Sequence, residues 1–198
     1  MKKALVVVAH PDDETIWCGG TILSSPGVDW TIISLCRKHD KDRAPRFFNA
    51  CREYGARCAM SDIDDDHPGR SLRSLAGMKK SILAMVDDVG PGRRYDDIFT
   101  HGKNGEYGHK RHKEVHESVR ELVSEGKLSC KRILFFNYVR DKGGSFCVPN
   151  VRGSDIVNKL DKIVLKRKSI IISSVYNFKY GGFEAASSAG LESFWVSK

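Results

Sequence analysis

Two stretches of the chain concentrate residues able to do chemistry. His10-Pro11-Asp12-Asp13-Glu14 sets one imidazole beside three carboxylates, and a second stretch carries His101, Tyr107, His109 and His112. Two histidines and one aspartate suffice to hold a catalytic zinc with an open position for water, so His10, Asp13 and His112 are the candidate ligands. Zinc lowers the pKa of bound water toward about 7 and makes a nucleophile at neutral pH. Asp12, beside the ligands, is the candidate base for that water. His109 stands three residues before His112, a spacing that shares one helix face, and is the candidate acid for a leaving group. The plainer reading is a hydrogen-bonded histidine at a strand edge, with Asp12, Asp13 and Glu14 capping a helix N-terminus. His116, four residues after His112, has a chelating spacing too but is read as buried or supporting, and His101 as lining the loop.

The elements that must position these residues are legible. Ala4 to Ala9 is a run of small and β-branched apolar residues, suited to a parallel strand buried on both faces. A helix over Thr15–Ser24, a strand over Val28–Leu35 and a helix over Pro45–Tyr54 stopped by Gly55 follow. Strands at Arg57–Met60, Asp97–His101 and Arg132–Asn137 alternate with helices at Leu72–Val89 and His109–Ser124. Val151–Ile172 reads as mostly helical, with Lys166-Arg167-Lys168 on a solvated face, and the tail from Asn177 as a loop. Alternation of this kind predicts one α/β domain over residues 1–198, a sandwich with a mainly parallel sheet. Ligands then gather beyond the C-terminal strand ends, where both stretches fall.

Composition narrows the partners. The 198 residues carry 33 basic and 25 acidic side chains, a net charge of +8, which favours anionic ligands. The three tryptophans are too scattered for a stacking platform, so nucleic acid is not expected, and no GxGxxG accompanies the first strand. No apolar run approaches the roughly 18 residues of a membrane span. The six cysteines form no CxxC pair and read as reduced thiols of a cytoplasmic protein. Arg43 and Arg46, after the second strand, are candidates to grip a phosphate or carboxylate on the substrate. The Asp62–Asp66 loop lacks the spacing and glycine of a calcium loop.

Ala9-His10-Pro11-Asp12-Asp13-Glu14 closely resembles the signature of the LmbE-like zinc-dependent N-deacetylases, the superfamily that includes the N-acetylglucosaminyl-phosphatidylinositol de-N-acetylases (PIG-L). Gly105-Glu106-Tyr107-Gly108-His109-x-x-His112 resembles that family's downstream motif. The resemblance implies a Rossmann-like three-layer fold and hydrolysis of the N-acetyl group of an N-acetylglucosamine-type sugar or conjugate. By position it implies His10, Asp13 and His112 as metal ligands, Asp12 as base, His109 as the residue that stabilises or protonates the tetrahedral intermediate, and Tyr107 as an aid to polarising the acetyl carbonyl. It also suggests that a carboxylate of the acidic loop, with Asp64 the candidate, bonds sugar hydroxyls. Zn2+ is the expected metal, although two histidines and a carboxylate also suit Fe2+. One departure stands out: Arg111 occupies the place of an aspartate that partners the catalytic histidine in many members, leaving Asp62, Asp64 or Glu106 as substitutes. The other functions open to this sequence are a metal-dependent amidase acting on a non-sugar amide and a metal- or glycan-binding protein without turnover. The short chain leaves any cap over the substrate to loops or to a second subunit, which is compatible with a homo-oligomer.

Overall fold

In the computed structural model, which describes residues 1–67, 69–188 and 190–197, strand β1 (Lys3–Val8) lies inside a seven-stranded sheet. Successive side chains of a strand point to opposite faces, so its apolar run serves two cores at once. Leu5 and Val7 pack on one side, Ala4, Val6 and Val8 on the other. Helices α3 (Ala76–Val89) and α5 (Lys110–Ser124) close the first face through Met78, Ile82, Val115 and Val119. Helices α1 (Asp13–Leu23) and α2 (Arg43–Tyr54) close the second through Ile16, Trp17, Phe47 and Cys51. Gly55 ends α2 at φ 63°, the left-handed conformation expected of a glycine stop.

The strand order places the crevice. β1 pairs in parallel with β2 (Asp29–Ser34) and with β4 (Asp97–Thr100), β2 with β3 (Arg57–Met60), and β4 with β5 (Arg132–Phe136). The chain therefore leaves β3 at one edge and returns on the other side of β1, so a crevice opens beyond the C-terminal ends of β1 and β4. The residues after β1 and after β4 meet there, joined by an irregular turn, α4 (Gly105–Gly108), that precedes α5. A two-stranded ribbon of β6 (Tyr138–Arg140) and β7 (Cys147–Pro149) follows β5.

The C-terminal third departs from the sequence reading. Within the stretch expected to be helical lie a 3-10 turn at Val151–Gly153 and strand β8 (Ile156–Lys159), and helix α6 covers only Lys162–Ile170 before a π-helix at Ile171–Val175. Asp161 starts α6, its carboxylate accepting from the Ile163 and Val164 amides at 2.8 Å. The expected loop from Asn177 contains helix α7 (Phe183–Ser187) and strand β9 (Leu191–Ser197). β9 runs antiparallel between β5 and β8, and each of β8 and β9 is made a strand by its partner. Such long-range pairing leaves little local periodicity to detect.

Lys168 is also not on a solvated face. It is fully buried, with Nζ 2.7 Å from Glu192 and 2.9 Å from the Ile16 carbonyl. Glu192, equally buried, accepts from the Gly20 and Thr21 amides at 2.7 Å and from the Thr21 hydroxyl at 2.6 Å. This cluster ties α6 and β9 to α1, the helix that begins at the candidate site. Removing one partner of a buried, hydrogen-bonded ion pair strands the other charge. Lys168→Ala should lower the unfolding free energy by about 3–5 kcal/mol, while Arg167→Ala on the exposed side should change it by less than about 0.5 kcal/mol, both read by urea denaturation.

Candidate active site

The site is built on a strained turn. The chain leaves β1 through His10 and Pro11, and Asp12 sits at φ 133° and ψ −29°, an unusual conformation for a residue with a side chain. Holding that turn, the Asp13 carboxylate accepts from the His10 amide at 2.9 Å. Its other oxygen accepts from the Trp17 indole at 2.8 Å.

Three atoms converge beside this turn. His10 Nδ1 lies 3.1 Å from His112 Nε2 and 3.2 Å from Asp13 Oδ2, and His112 Nε2 lies 3.4 Å from Asp13 Oδ2. A tetrahedral zinc with bonds of about 2.0–2.2 Å separates its ligand atoms by about 3.3–3.5 Å, so the triangle fits such an ion closely. The remote nitrogens decide which lone pairs are free. His112 Nδ1 bonds Glu106 Oε2 at 2.5 Å and His10 Nε2 bonds Asp65 Oδ2 at 3.0 Å, so a neutral ring at either position gives its N–H to a carboxylate and turns its lone pair inward, and a cation that binds there displaces the second proton of His10.

His101 stacks on His112 with ring centroids 3.9 Å apart, and its Nε2 lies 3.5 Å from Asp13. That nitrogen, however, accepts the Ala9 amide at 2.9 Å, which places the ring proton on Nδ1, 2.9 Å from Glu106. His101 is thus engaged at both ring nitrogens and acts as a spacer behind His112. His116 donates from Nδ1 to the His101 carbonyl at 2.9 Å and stands behind it.

Electrostatics agree with the geometry. Burial raises the Asp13 carboxyl, but the His112, His101 and His10 imidazoles outweigh it and hold Asp13 well below the usual carboxylate range. Burial raises Glu106 too, and His101 and His112 bring it down to about 2. For His10, burial works against the charged ring, but Asp13 and Asp65 push it up to about 10, so positive charge is favoured at this point. Asp12 is different: burial and the Asp13 charge push it well above the usual range, with Arg43 offsetting part.

Asp12, His109 and Tyr107 face a cleft of about 190 Å³ that also touches Trp17, Arg37, Arg43, Asp65, Phe183 and Glu184. Arg43 Nη1 bonds Asp12 Oδ2 at 2.5 Å, leaving Oδ1 without a hydrogen-bond partner among the described residues. The His109 ring lies 4.7 Å from both His10 and His112, and its Nδ1 is buried with no hydrogen-bond partner among the described residues. Burial, then the neighbouring His112 and His10 charges, bring His109 down to about 4. The substitutes considered for its missing carboxylate do not bond it, and Glu106 is committed to His101 and His112. Arg111 is buried and turned away from His109, bonding the Asp64 carbonyl and the Glu114 carboxylate.

Two expected substrate contacts are placed elsewhere. Arg46 is held by Asp42 at 2.7 Å and donates to the Val175 carbonyl at 3.1 Å, outside the cleft lining. The Asp64 carboxylate is turned back on its own loop, accepting from the Asp66 amide at 3.0 Å, and its neighbour Asp65 faces the cleft instead. Three successive aspartates offer no periodicity that tells which one turns inward. Glu106 was legible only as one substitute carboxylate, because its φ of 55° turns it inward in a way that spacing does not reveal. Phe183, which lines the cleft, lies in a tail read as loop.

Compared with known proteins, residues 5–123 match the GlcNAc-PI de-N-acetylase (PIG-L) family. A 1D-myo-inositol 2-acetamido-2-deoxy-alpha-D-glucopyranoside deacetylase of Corynebacterium diphtheriae is 25% identical over 168 residues, covering 67% of this chain and 55% of that enzyme. The fold is similar to that of N,N'-diacetylchitobiose deacetylase from Pyrococcus horikoshii, with a TM-score of 0.72, 15% identity and coverage of 99% of this chain and 84% of the other. It is similar also to the conserved protein TT1542 from Thermus thermophilus, with a TM-score of 0.71, 15% identity and coverage of 98% and 94%. With the family match spanning more than half of its length and including both histidine-bearing motifs, the chain belongs to the GlcNAc-PI de-N-acetylase family.

Proposed function

We propose that this protein is a metal-dependent hydrolase that removes the acetyl group from an N-acetylglucosamine-type sugar or conjugate. The observation that carries this reading is the triangle of His10, Asp13 and His112, each ligand oriented by a partner behind it, at the floor of a cleft that His10, Asp12 and Asp13 line. Family membership and the corynebacterial sugar deacetylase support the choice of bond. His10, Asp13 and His112 would hold Zn2+, with Fe2+ the other ion suited to the set. Such an ion supplies Lewis acidity, polarising the acetyl carbonyl and acidifying a water.

The chain's own groups do the rest. Asp12 takes the proton of the attacking water on Oδ1 while Arg43 fixes Oδ2 and keeps the carboxylate aimed into the cleft. His109 and the phenol of Tyr107 meet the oxyanion that develops on the acetyl oxygen. Burial pushes the Tyr107 phenol up, so it stays a donor. Cleavage of the C–N bond returns the proton that Asp12 took from water to the departing amine, with His109 as its relay, and yields acetate and the free amino sugar.

The cleft volume of about 190 Å³ is below the roughly 300–1,000 Å³ of drug-sized pockets. It suits one acylated ring, with the rest of a conjugate outside. Arg37 and Arg43 line it and favour a conjugate bearing phosphate or carboxylate. A cytoplasmic setting belongs to the same reading, supported by six free cysteines. No helix among the described residues is long and apolar enough to cross a membrane.

Acetate release from a panel of N-acetyl sugars, with non-sugar N-acetyl amides alongside, tests the activity. Turnover confined to the non-sugar amides would identify an amidase of another class, and metal binding without acetate from any substrate would identify a binding protein. Asp12→Asn should keep the metal and lower kcat by about 10²–10⁴-fold; full activity in this variant would remove Asp12 as the base. Glu106→Gln should weaken metal binding by about 10–100-fold, read by chelator competition, because it frees the remote nitrogen of His112. Unchanged affinity there would count against the ligand set.

A further inference from the structure

Asp12 is gripped at both ends by one short stretch of distant chain. We propose that Tyr176 and Phe178 are positioning residues for Asp12, Tyr176 acting on its backbone through Glu14 and Phe178 on its carboxylate through Arg43. The proposal rests on the reading of Asp12 as the base.

The backbone arm is continuous and dry. The Tyr176 hydroxyl donates to Glu14 Oε1 at 2.6 Å, the Thr15 hydroxyl donates to the same oxygen at 2.6 Å, and Glu14 Oε2 accepts the Asp12 amide at 3.1 Å. Glu14 is fully buried and Tyr176 is 2% exposed, so no water substitutes for a lost donor. With Oε1 satisfied by two hydroxyls, Oε2 is left to hold the one amide whose residue sits at φ 133°.

The side-chain arm is as direct. The Arg43 guanidinium lies 4.5 Å from the centroid of the Phe178 ring and bonds Asp12 Oδ2 at 2.5 Å. A planar cation sandwiched between a ring face and a carboxylate has little freedom to swing.

The stretch is itself built to reach the site. In the π-helix Ile171–Val175 the turn widens, and the Tyr176 amide bonds the Ile171 carbonyl, five residues back, at 2.9 Å. The Phe178 amide then bonds the Ile172 carbonyl at 3.1 Å, with Asn177 between them at φ 60°. The two rings stack with centroids 5.9 Å apart. Arg46, on α2, clamps the end of the π-helix at the Val175 carbonyl. The stretch from Ile171 to Phe178 lies beyond residues 5–123, the part of the chain that matches the family.

Tyr176→Phe keeps the ring and its stacking and deletes only the hydroxyl. It should lower kcat by about tenfold, the size expected for losing one hydrogen bond to a charged group, with KM within about twofold and metal content unchanged. Phe178→Leu should lower kcat similarly, and Phe178→Tyr, which restores a ring, should recover it. In an Asp12→Asn background Tyr176→Phe should cost nothing more, since the residue it positions no longer acts. Wild-type kcat in Tyr176→Phe, or an equal loss in both backgrounds, overturns the proposal. If wild-type protein releases acetate from no sugar, the deacetylase reading fails by itself. Hydrogen exchange at the Asp12 amide then still decides: faster exchange in Tyr176→Phe supports the backbone arm, and unchanged exchange overturns it.

Discussion

The proton on a histidine ring goes to whichever nitrogen has an acceptor, and the lone pair is left on the other. At this site one carboxylate makes that choice for two rings. Glu106 takes the Nδ1 protons of His101 and His112, and the Ala9 amide takes the remaining lone pair of His101. His112 therefore presents Nε2 toward Asp13 and His10, while His101 is spent on holding the β1 and β4 ends together. Asp65 does for His10 what Glu106 does for His112. The convergence of three ligand atoms within 3.4 Å of one another depends on these outer carboxylates as much as on the ligands.

Backbone strain gathers at the same place. Among the described residues the non-glycine positions with positive φ are Asp12, Arg37, Glu106 and Asn177. The first three lie in the turn after β1, the loop after β2 and the turn before α5, and the fourth separates Tyr176, which bonds Glu14, from Phe178, which lies against Arg43. Each such residue costs on the order of 1–3 kcal/mol and persists only where its surroundings over-determine it. Here the surroundings are the parallel core under β1 and β4, the buried Glu14 network and the Lys168–Glu192 pair that fastens α6 and β9 to α1. The C-terminal third thus acts as the brace that keeps the strained turn after β1 from relaxing.

The net charge of +8 takes on a location in this arrangement. The centre of the site is acidic, with Asp12, Asp13, Glu14, Asp65 and Glu106 within or directly behind it. Such a cluster needs cations or N–H donors against it, which the histidines, Arg43 and the Trp17 indole provide. Arg37 and Arg43 stand on the cleft wall, the positive rim of an acidic centre.

The chain's alternation of apolar runs and amphipathic stretches was enough to determine the α/β class, the parallel strands from β1 to β5 and the placing of both motifs at strand ends. Those features depend on burial periodicity and on residues close in sequence, and His10, Asp12, Asp13, His109 and His112 were legible for the same reason. Helix α6 cut short, the π-helix, strands β8 and β9, the burial of Lys168, and the choice of Asp65 over Asp64 and of Arg43 over Arg46 were decided only by tertiary structure. Each depends on a partner far along the chain, as β9 does on β5, Lys168 on Glu192 and Arg46 on Val175. A local pattern records which face of an element is apolar. It does not record which distant hydrogen bond will turn a charged side chain inward, and at this site that second kind of information orients His10, Asp12 and His112.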